Sequence, residues 1–570
     1  MFARTDKIIV RNYIKYLFPA ILVGLGGAIQ QFVDTIIVAK LIDSNAVAIE
    51  NYAGPMVQYT PFTVKLIGCG GAVIYATLMG KMEREKAAGI YSTAMILATI
   101  MSFIVTIPGL FFIGELDMAL GCSQELMGDF QTYMIPTLIL IPVSIIMMTF
   151  ASFLPAMGYP GLTFRIVLTA NIVNVLLDVV YIKFFKMGIA GAQWATISGY
   201  VVALIAMIFA LKKDHFVFSS IKYFNVAAIK DIFIRGLPSG LSQLGLLTYY
   251  WYFNRLVTQM GGTEAMKAFS ICLQLLAVCA ILINGVSENV RNFVSMLNSA
   301  EDKQSVRYVM KNSSIILVLW GVVLLAVIQL FPGIFVDLYS IQDGRELAIH
   351  ALRIYSFIVL FKGMAIIARD YLNTTGRPYH AMVVTLAEGS VGVIILGTIL
   401  GGQIGLDGVW MAFPLTSCIC CILVAIYLFS WGKSHVQNDS AGYEKMYMTL
   451  PVNSAKTVLP SQEISDYYKA KVQNKTITER TALLVEEMYI YSVNHTKKLD
   501  YIDVMLQIHD NESRILFRSL GEPFDPMNMA NEEEKANVLL LNKITSEIKY
   551  EYIMGMNTTC IRAYGPWGRG

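Results

Sequence analysis

Apolar runs of about 20 residues recur through the first 432 positions, separated by short charged or Gly/Pro-containing breaks. At 1.5 Å per residue, a helix of about 20 residues crosses the roughly 30 Å of bilayer hydrocarbon. The runs predict twelve helices, near 16–39, 53–79, 88–113, 130–156, 162–183, 190–211, 236–258, 265–296, 312–332, 348–372, 380–400 and 406–431. After Trp431 the pattern changes: "GKSHVQNDSAGYEKM" is polar, and residues 455 to 570 hold no spanning run. There "TITERTALLVEEMYIYSVNH" has helical periodicity, "YIDVMLQIHDN" and "SRILFRSL" alternate as strands, and "GEPFDP" reads as a turn. The expected architecture is an all-α polytopic membrane protein with an N-terminal six-helix bundle over 1–220 and a C-terminal one over 221–432. A linker over 433–454 would lead to an α+β domain over 455–570.

Composition agrees. Only 15% of the 570 residues are charged, against roughly 25% in an ordinary soluble domain. A formal net charge of +3 is too small to suggest nucleic acid as a partner. Six of the eight cysteines fall in predicted spans without metal or disulfide spacing and read as small packing residues. The charged start "MFARTDKIIVRNYIK" leads into a full-length span, so no cleavable signal peptide is expected. Lys and Arg set the orientation. They crowd the start (Arg4, Lys7, Arg11, Lys15), the loop after helix 2 (Lys81, Arg84, Lys86) and the loop after helix 6 (Lys212, Lys213, Lys222, Lys230, Arg235). Opposite loops are sparse, so the N-terminus is expected in the cytoplasm of a multi-pass cell-membrane protein. An even number of spans returns the C-terminus there.

The halves resemble each other. The offset that carries Pro19 to Pro238 lays "KLIDSNA" (40–46) over "QMGGTEA" (259–265) and "KMEREKA" (81–87) over "AEDKQSV" (300–306). Further along, "AMGYPGL" (156–162) recurs as "TTGRPYH" (374–380), and "GIAGAQW" (188–194) as "GLDGVWM" (405–411). Two six-helix repeats in the same orientation, facing each other across a cavity, form the architecture of an alternating-access transporter.

Ionisable residues inside spans cost roughly 2.5–3.5 kcal/mol at a helix centre on insertion scales and are functional candidates by default. Asp34 lies late in helix 1 and Asp178 late in helix 5, at similar depth. Asn174 precedes Asp178 by four residues, on the same helix face. An oxygen cluster of this kind suits a proton or a hard cation such as Na⁺. Headgroup water near the helix ends is the alternative account of the two aspartates. Lys65, Arg255, Glu288, Lys362 and Glu388 are further charges in spans, read as candidates for a substrate cavity. Arg291 and Asp370 lie near cytoplasmic ends, where solvation is expected to account for them.

Together these features resemble the multidrug and toxic compound extrusion (MATE) family over about residues 8 to 432. The resemblance rests on "QQFVDTIIVAKLIDSNAVA" with Pro19, "GAVIYATLMGKMEREKAAGIYSTA", and "NVLLDVVYI…GIAGAQWATISGY". In the branch with its ion site in the N-terminal half, it implies roles for Asp34, Asn174, Asp178 and Thr196. The other branch's acid in helix 7 is missing, since "TYYWYFNRLV" offers Asn254 and Arg255 there. The usual Gln-Pro near the end of helix 8 is here Glu288-Asn289. The implied function is cation-coupled (H⁺ or Na⁺) antiport exporting small organic compounds, without a cofactor and with membrane lipid as surroundings. A flippase for a lipid-linked or anionic substrate, and a signalling scaffold acting through the tail, are alternatives. No nucleophile–base pair, metal cluster or Walker loop points to an enzyme.

The tail resembles the small ATP-binding domains of anti-sigma-factor serine kinases (the GHKL fold). "LLVEEMYIYSVNH" looks like their Mg²⁺-binding helix and "SLGEPFDP" like their adenine loop. Glu487 matches, but Tyr491 stands in place of the Asn, and Ser519 replaces the Asp while Gly521 remains. The lid segment "ANVLLLNKITSE" has no glycine. Kinase or ATPase activity is therefore not expected. A regulatory or docking module, with a cytoplasmic protein partner, is the expectation.

Overall fold

The computed structural model describes residues 7–41, 53, 56–119, 127–212, 224–338, 344–436, 444–452, 460–469, 475–495, 501–508, 512–525, 545 and 547–564. Hydrocarbon offers no partner to a peptide N–H or C=O, so long apolar segments close their hydrogen bonds as helices. The N-terminal half comprises α1 (Lys7–Leu41), α2 (Met56–Gly80), α3 (Arg84–Phe111), the short α4 (Ile113–Ala119), α5 (Met127–Phe153), α6 (Pro160–Phe184) and α7 (Gly188–Lys212). Within α2, Val64–Cys69 forms a π-helical turn, and α6 ends in another at Val180–Phe184. The C-terminal half begins with α8 (Val226–Ser299), broken at Gly262, where φ 63° and ψ −152° leave the helix. It continues with α9 (Lys303–Leu330), α10 (Pro332–Leu338), α11 (Arg345–Tyr355), α12 (Ile358–Thr374), α13 (Pro378–Gly389), α14 (Val391–Ile404) and α15 (Leu406–Val436).

Among the described residues, 10 helices are long and apolar enough to span a membrane, or 11 if α11 and α12, bent by 42°, form one span. The count differs from the twelve expected. The stretch expected at 236–258 is helical, but Ser239, Ser242, Gln243, Asn254 and Arg255 make that arm of α8 more polar than the others.

The internal repeat is visible in the backbone. Gly158 and Gly376 both adopt positive φ (101° and 90°) just before the prolines that open α6 and α13. Met82 and Glu301, related by the offset that joins Pro19 to Pro238, both adopt left-handed φ (59° and 61°) in the turns after α2 and α8.

Each half has its own apolar core. Tyr91, Phe150 and Phe153 centre the first; Phe253, Phe269, Trp410 and Phe413 centre the second. The start of α1 joins the second core, with Tyr13 and Tyr16 edge-on to Phe293 at 5.7 and 5.4 Å. The halves meet where α2 lies on the first arm of α8. A Cβ on Gly236 would overlap the Leu66 carbonyl, and one on Gly70 would overlap that of Ile232. Such small-residue contacts let helix backbones approach closely.

The tail sheet consists of β1 (Glu444–Pro451), β2 (Tyr501–Ile508), β3 (Glu512–Leu520), β4 (Glu547–Ile553) and β5 (Met556–Tyr564), antiparallel in the order β1-β2-β3-β5-β4. Helices α16 (Pro460–Lys469) and α17 (Lys475–His495) accompany it. β1 falls inside the expected linker, so the folded tail starts earlier than 455. Met446, Met448 and Leu450 alternate onto the face that packs under Leu484, Val485 and Met488. Tyr447, Met505, Leu516 and Cys560 form a row across four strands on the opposite face and meet Met82 and Ala300. Arg518 pairs with Asp302, both buried, and Gln507 Nε2 donates to Glu301 Oε2 at 3.3 Å. Asn12 Nδ2 donates to the Met554 carbonyl at 2.7 Å and Lys7 Nζ to the Tyr501 hydroxyl at 2.9 Å.

Gly236→Ala overpacks the α2–α8 contact at about 1–3 kcal/mol and should lower the thermal unfolding midpoint of the detergent-purified protein. Gly240→Ala, whose added carbon meets Leu66 and Phe62 side chains at 3.4 and 3.5 Å, should leave that midpoint unchanged.

Candidate functional site

Among the described residues, two polar sites within the helices stand out. The first is in the N-terminal half. Asn171, Asn174 and Asp178 recur at spacings of three and four on α6, and all three are buried. Gln30 Nε2 of α1 donates to Asn174 Oδ1 at 2.8 Å, and Asn174 Nδ2 donates to Thr196 Oγ1 of α7 at 3.0 Å. The Thr196 hydroxyl donates onward to the Ala192 carbonyl at 3.0 Å. This chain ties three helices together one turn from the Asp178 carboxylate, which is 2% exposed. A Cβ on Gly199 would sit 3.3 Å from the Asn174 Cβ, so α7 packs closely on α6 there. Asp34 lies on α1 one turn past Gln30, and its side chain is outside the described residues. A carboxylate beside amide and hydroxyl oxygens can hold a proton or a hard cation. Gln30 joins the cluster and Asn171 lies on the same face of α6 beside it, although the sequence reading did not single them out. The i−4 spacing of Gln30 from Asp34, and the 171–174–178 pattern, were the available signals.

The second site is a cavity of about 340 Å³ lined by α2, both arms of α8, α12 and α13. Lys65, from the π-helical turn of α2, donates to Gln243 Oε1 at 2.9 Å, and Gln243 Nε2 donates to Gln58 Oε1 at 2.8 Å. Lys362 pairs with Glu388, whose Oε1 also accepts from Ser417 at 3.1 Å. Arg369 donates to Asp370 Oδ1 at 3.0 and 2.8 Å, and Arg291 lies 3.4 Å from Asp370 Oδ2. Ser287 donates to the same carboxylate while accepting from Arg291 at 2.7 Å. Glu288 lines the cavity one turn from Arg291.

Two expectations change. Arg291 and Asp370 are not solvated helix ends; they form a buried ion network, with Asp370 1% exposed. Arg255 does not reach the cavity. Phe253 and Val257 take the buried face of that arm, which turns Asn254 and Arg255 outward to an exposed face. Lys65, Glu288, Lys362 and Glu388 all line the cavity.

In the tail, Glu487 lies half-buried on α17, and Ser519 is buried in β3 between Ile502 and Asn557. Gly521 follows at the bend with φ 143°. Tyr491 lies on α17, with its side chain outside the described residues, as is the segment expected to form a lid.

The MatE family model matches residues 19–180 and 238–400, one stretch in each half, ending ahead of the tail. Multidrug export protein MepA of Staphylococcus saprophyticus is 21% identical over 427 residues, spanning 74% of this chain and 94% of its own. MepA of Staphylococcus haemolyticus is 22% identical over 445 residues, spanning 75% and 95%. An outward-facing multidrug resistance MATE family transporter of the MOP superfamily superposes with a TM-score of 0.70 at 19% identity, over 76% of this chain and 96% of that one. A MOP superfamily transporter from Pyrococcus furiosus, whose binding pocket is described as of reverse polarity and suggesting a different function, superposes at 0.69 with 18% identity, over 77% and 99%. At these identities the structural likeness is one of fold.

Proposed function

The chain belongs to the MatE family, whose members are ion-coupled secondary transporters and not enzymes, and on that premise we propose that it exports small organic compounds by antiport against H⁺ or Na⁺. The observation that carries this reading is the Gln30–Asn174–Thr196 hydrogen-bond chain beside buried Asp178. Asp34, Asn174, Asp178 and Thr196 are the proposed ion-coupling residues. The relatives named as multidrug export proteins support organic compounds as the cargo.

The route from ion to cargo runs through α1. This helix carries Gln30 in the ion site, Pro19 at mid-span, and Tyr13 and Tyr16 in the core of the other half. Proline removes a ladder hydrogen bond and allows a helix to bend. A cation that reorganises the Gln30 end therefore acts on a helix packed against both halves. Alternating access follows when ion and cargo favour different packings of the two halves.

The tail is proposed as a cytoplasmic, degenerate GHKL-like module that restrains this movement. Its sheet rests on the turn after α2 from one half and the turn after α8 from the other. A rigid sheet seated on both turns opposes their separation. The seat occupies one sheet face and the helices occupy the other, which leaves edge strands and the outer helical surface for a cytoplasmic protein partner.

Reconstituted Asp178→Asn should lose coupled efflux, measured with a panel of cationic and anionic fluorescent dyes under pH and Na⁺ gradients imposed separately. The gradient that drives the wild type identifies the ion; unchanged flux in the variant would make Asp178 structural and remove the proposed ion site. Arg518→Ala takes the guanidinium from a buried carboxylate, at about 3–5 kcal/mol, and should loosen the tail and raise the efflux rate. An unchanged or lower rate, with the tail shown by limited proteolysis to be released, would refute the restraint.

A further inference from the structure

The cavity between the halves has an unequal charge ledger. Among the described residues, the side chains that line it or stand directly behind it include four cations (Lys65, Arg291, Lys362, Arg369) and three carboxylates (Glu288, Asp370, Glu388). Lys362 and Glu388 satisfy each other. Arg291 and Arg369 divide a single carboxylate, Asp370. Lys65 has one hydrogen-bond partner among the described residues, the neutral amide oxygen of Gln243. After these pairings, Glu288 alone stands against two surplus positive charges. A surplus of one sign inside a membrane-spanning bundle is costly, and a charge-assisted contact with an anion lowers that cost.

A second observation concerns where Lys65 sits. It projects from the π-helical turn Val64–Cys69 of α2 in the N-terminal half, whereas both arginines belong to the C-terminal half. π-Turns inside α-helices frequently mark functional positions. The volume of about 340 Å³ suits a small organic molecule.

We infer that this cavity binds the anionic group of an exported compound, a carboxylate, sulfonate or phosphate ester, between Lys65 of one half and the Arg291–Arg369 pair of the other. The inference rests on the reading of the chain as an exporter and names the cargo class of that exporter. Because the cations come from both halves, the anion holds them together in one packing and loses Lys65 in another. Its affinity therefore depends on the state of the transporter, which is what cargo release requires.

The test is calorimetric titration of the full chain in phosphatidylcholine nanodiscs with naphthalene-2-sulfonate and with the equally sized naphthyltrimethylammonium. The sulfonate should bind more tightly, Lys65→Gln and Arg369→Gln should each weaken it about tenfold or more, equivalent to about 1.4 kcal/mol, and Lys65→Arg should retain it. Preferential binding of the ammonium, or sulfonate affinity unchanged in folded Lys65→Gln, would overturn the inference. Loss of sulfonate binding when phosphatidylglycerol replaces phosphatidylcholine would give the site to a lipid headgroup and overturn its role for cargo. The outcome is separable from the exporter reading: efflux of a cationic dye without sulfonate binding refutes only the anion site. Sulfonate binding without any ion-driven flux refutes only the exporter.

Discussion

The close contact of α2 with the first arm of α8 is the constraint on which the arrangement turns. Gly70 and Gly236 have no room for a methyl group there, so two backbones from opposite halves touch. In lipid there is little hydrophobic force to press helices together, and close van der Waals contact carries much of the association. The contact also fixes the chemistry beside it. Leu66 lies within the π-turn that presents Lys65 and Gly70 directly follows it, and Gly236 lies two turns before Gln243, which accepts from the Lys65 ammonium. Shift the glycines apart and Lys65 no longer faces the arginines across the cavity.

A second consequence is the separation of the two polar sites. The Asn174 cluster joins α1, α6 and α7 within one half, whereas the Arg291–Asp370 network draws on α8 and α12 of the other. Among the described residues, the Gln30–Asn174–Thr196 bonds stay within one half and the Arg291–Asp370 bonds within the other. Communication between them needs an element that both halves hold. Helix α1 qualifies, because Gln30 hydrogen-bonds into the first cluster while the Tyr13 hydroxyl meets Ser313 of α9 at 2.8 Å.

What the sequence disclosed follows from the range of its signals. Asn174 and Asp178 stand out because polar residues four apart in an apolar run must share a face, which is a local fact. The repeat was legible because related breaks recur at one offset, and the turns at Met82 and Glu301 adopt the same unusual φ. Arg291 and Asp370 were misjudged because distance from a helix end says nothing about what covers that end; their pairing links residues 79 positions apart. Arg255 failed for a local reason that could have been seen, since Phe253 and Val257 mark the buried face of the same arm. In the tail, β1 hid within a polar stretch despite the alternation of Met446, Met448 and Leu450. Strands β4 and β5 had no assignment at all, although "EIKYEYI" alternates Ile548, Tyr550 and Tyr552 with the charged Glu547, Lys549 and Glu551, a strand pattern that could have been read.

The tail's two seats differ in strength, and that difference says which half it travels with. On the C-terminal side, Arg518 and Asp302 are both buried, and Asp302 also caps α9 through the Ser305 amide at 3.1 Å. The start of α1 reinforces this side: Asn12 and Lys7 bond to the tail from a segment packed on Phe293 of α8. On the N-terminal side, Met82 supplies an apolar contact, and Arg84 reaches Glu551 at 3.9 Å with its own side chain 72% exposed. An ion pair of that kind contributes about 0–1 kcal/mol. Burial raises the Glu551 carboxyl above its ordinary value against the lowering effect of Arg84, so desolvation outweighs the pair's attraction. The sheet is therefore held more firmly by the C-terminal half, and its restraint on movement of the halves acts through its contacts with the other half, at Met82, Arg84 and the turn at Gly158, which faces the Met554 and Gly555 backbone.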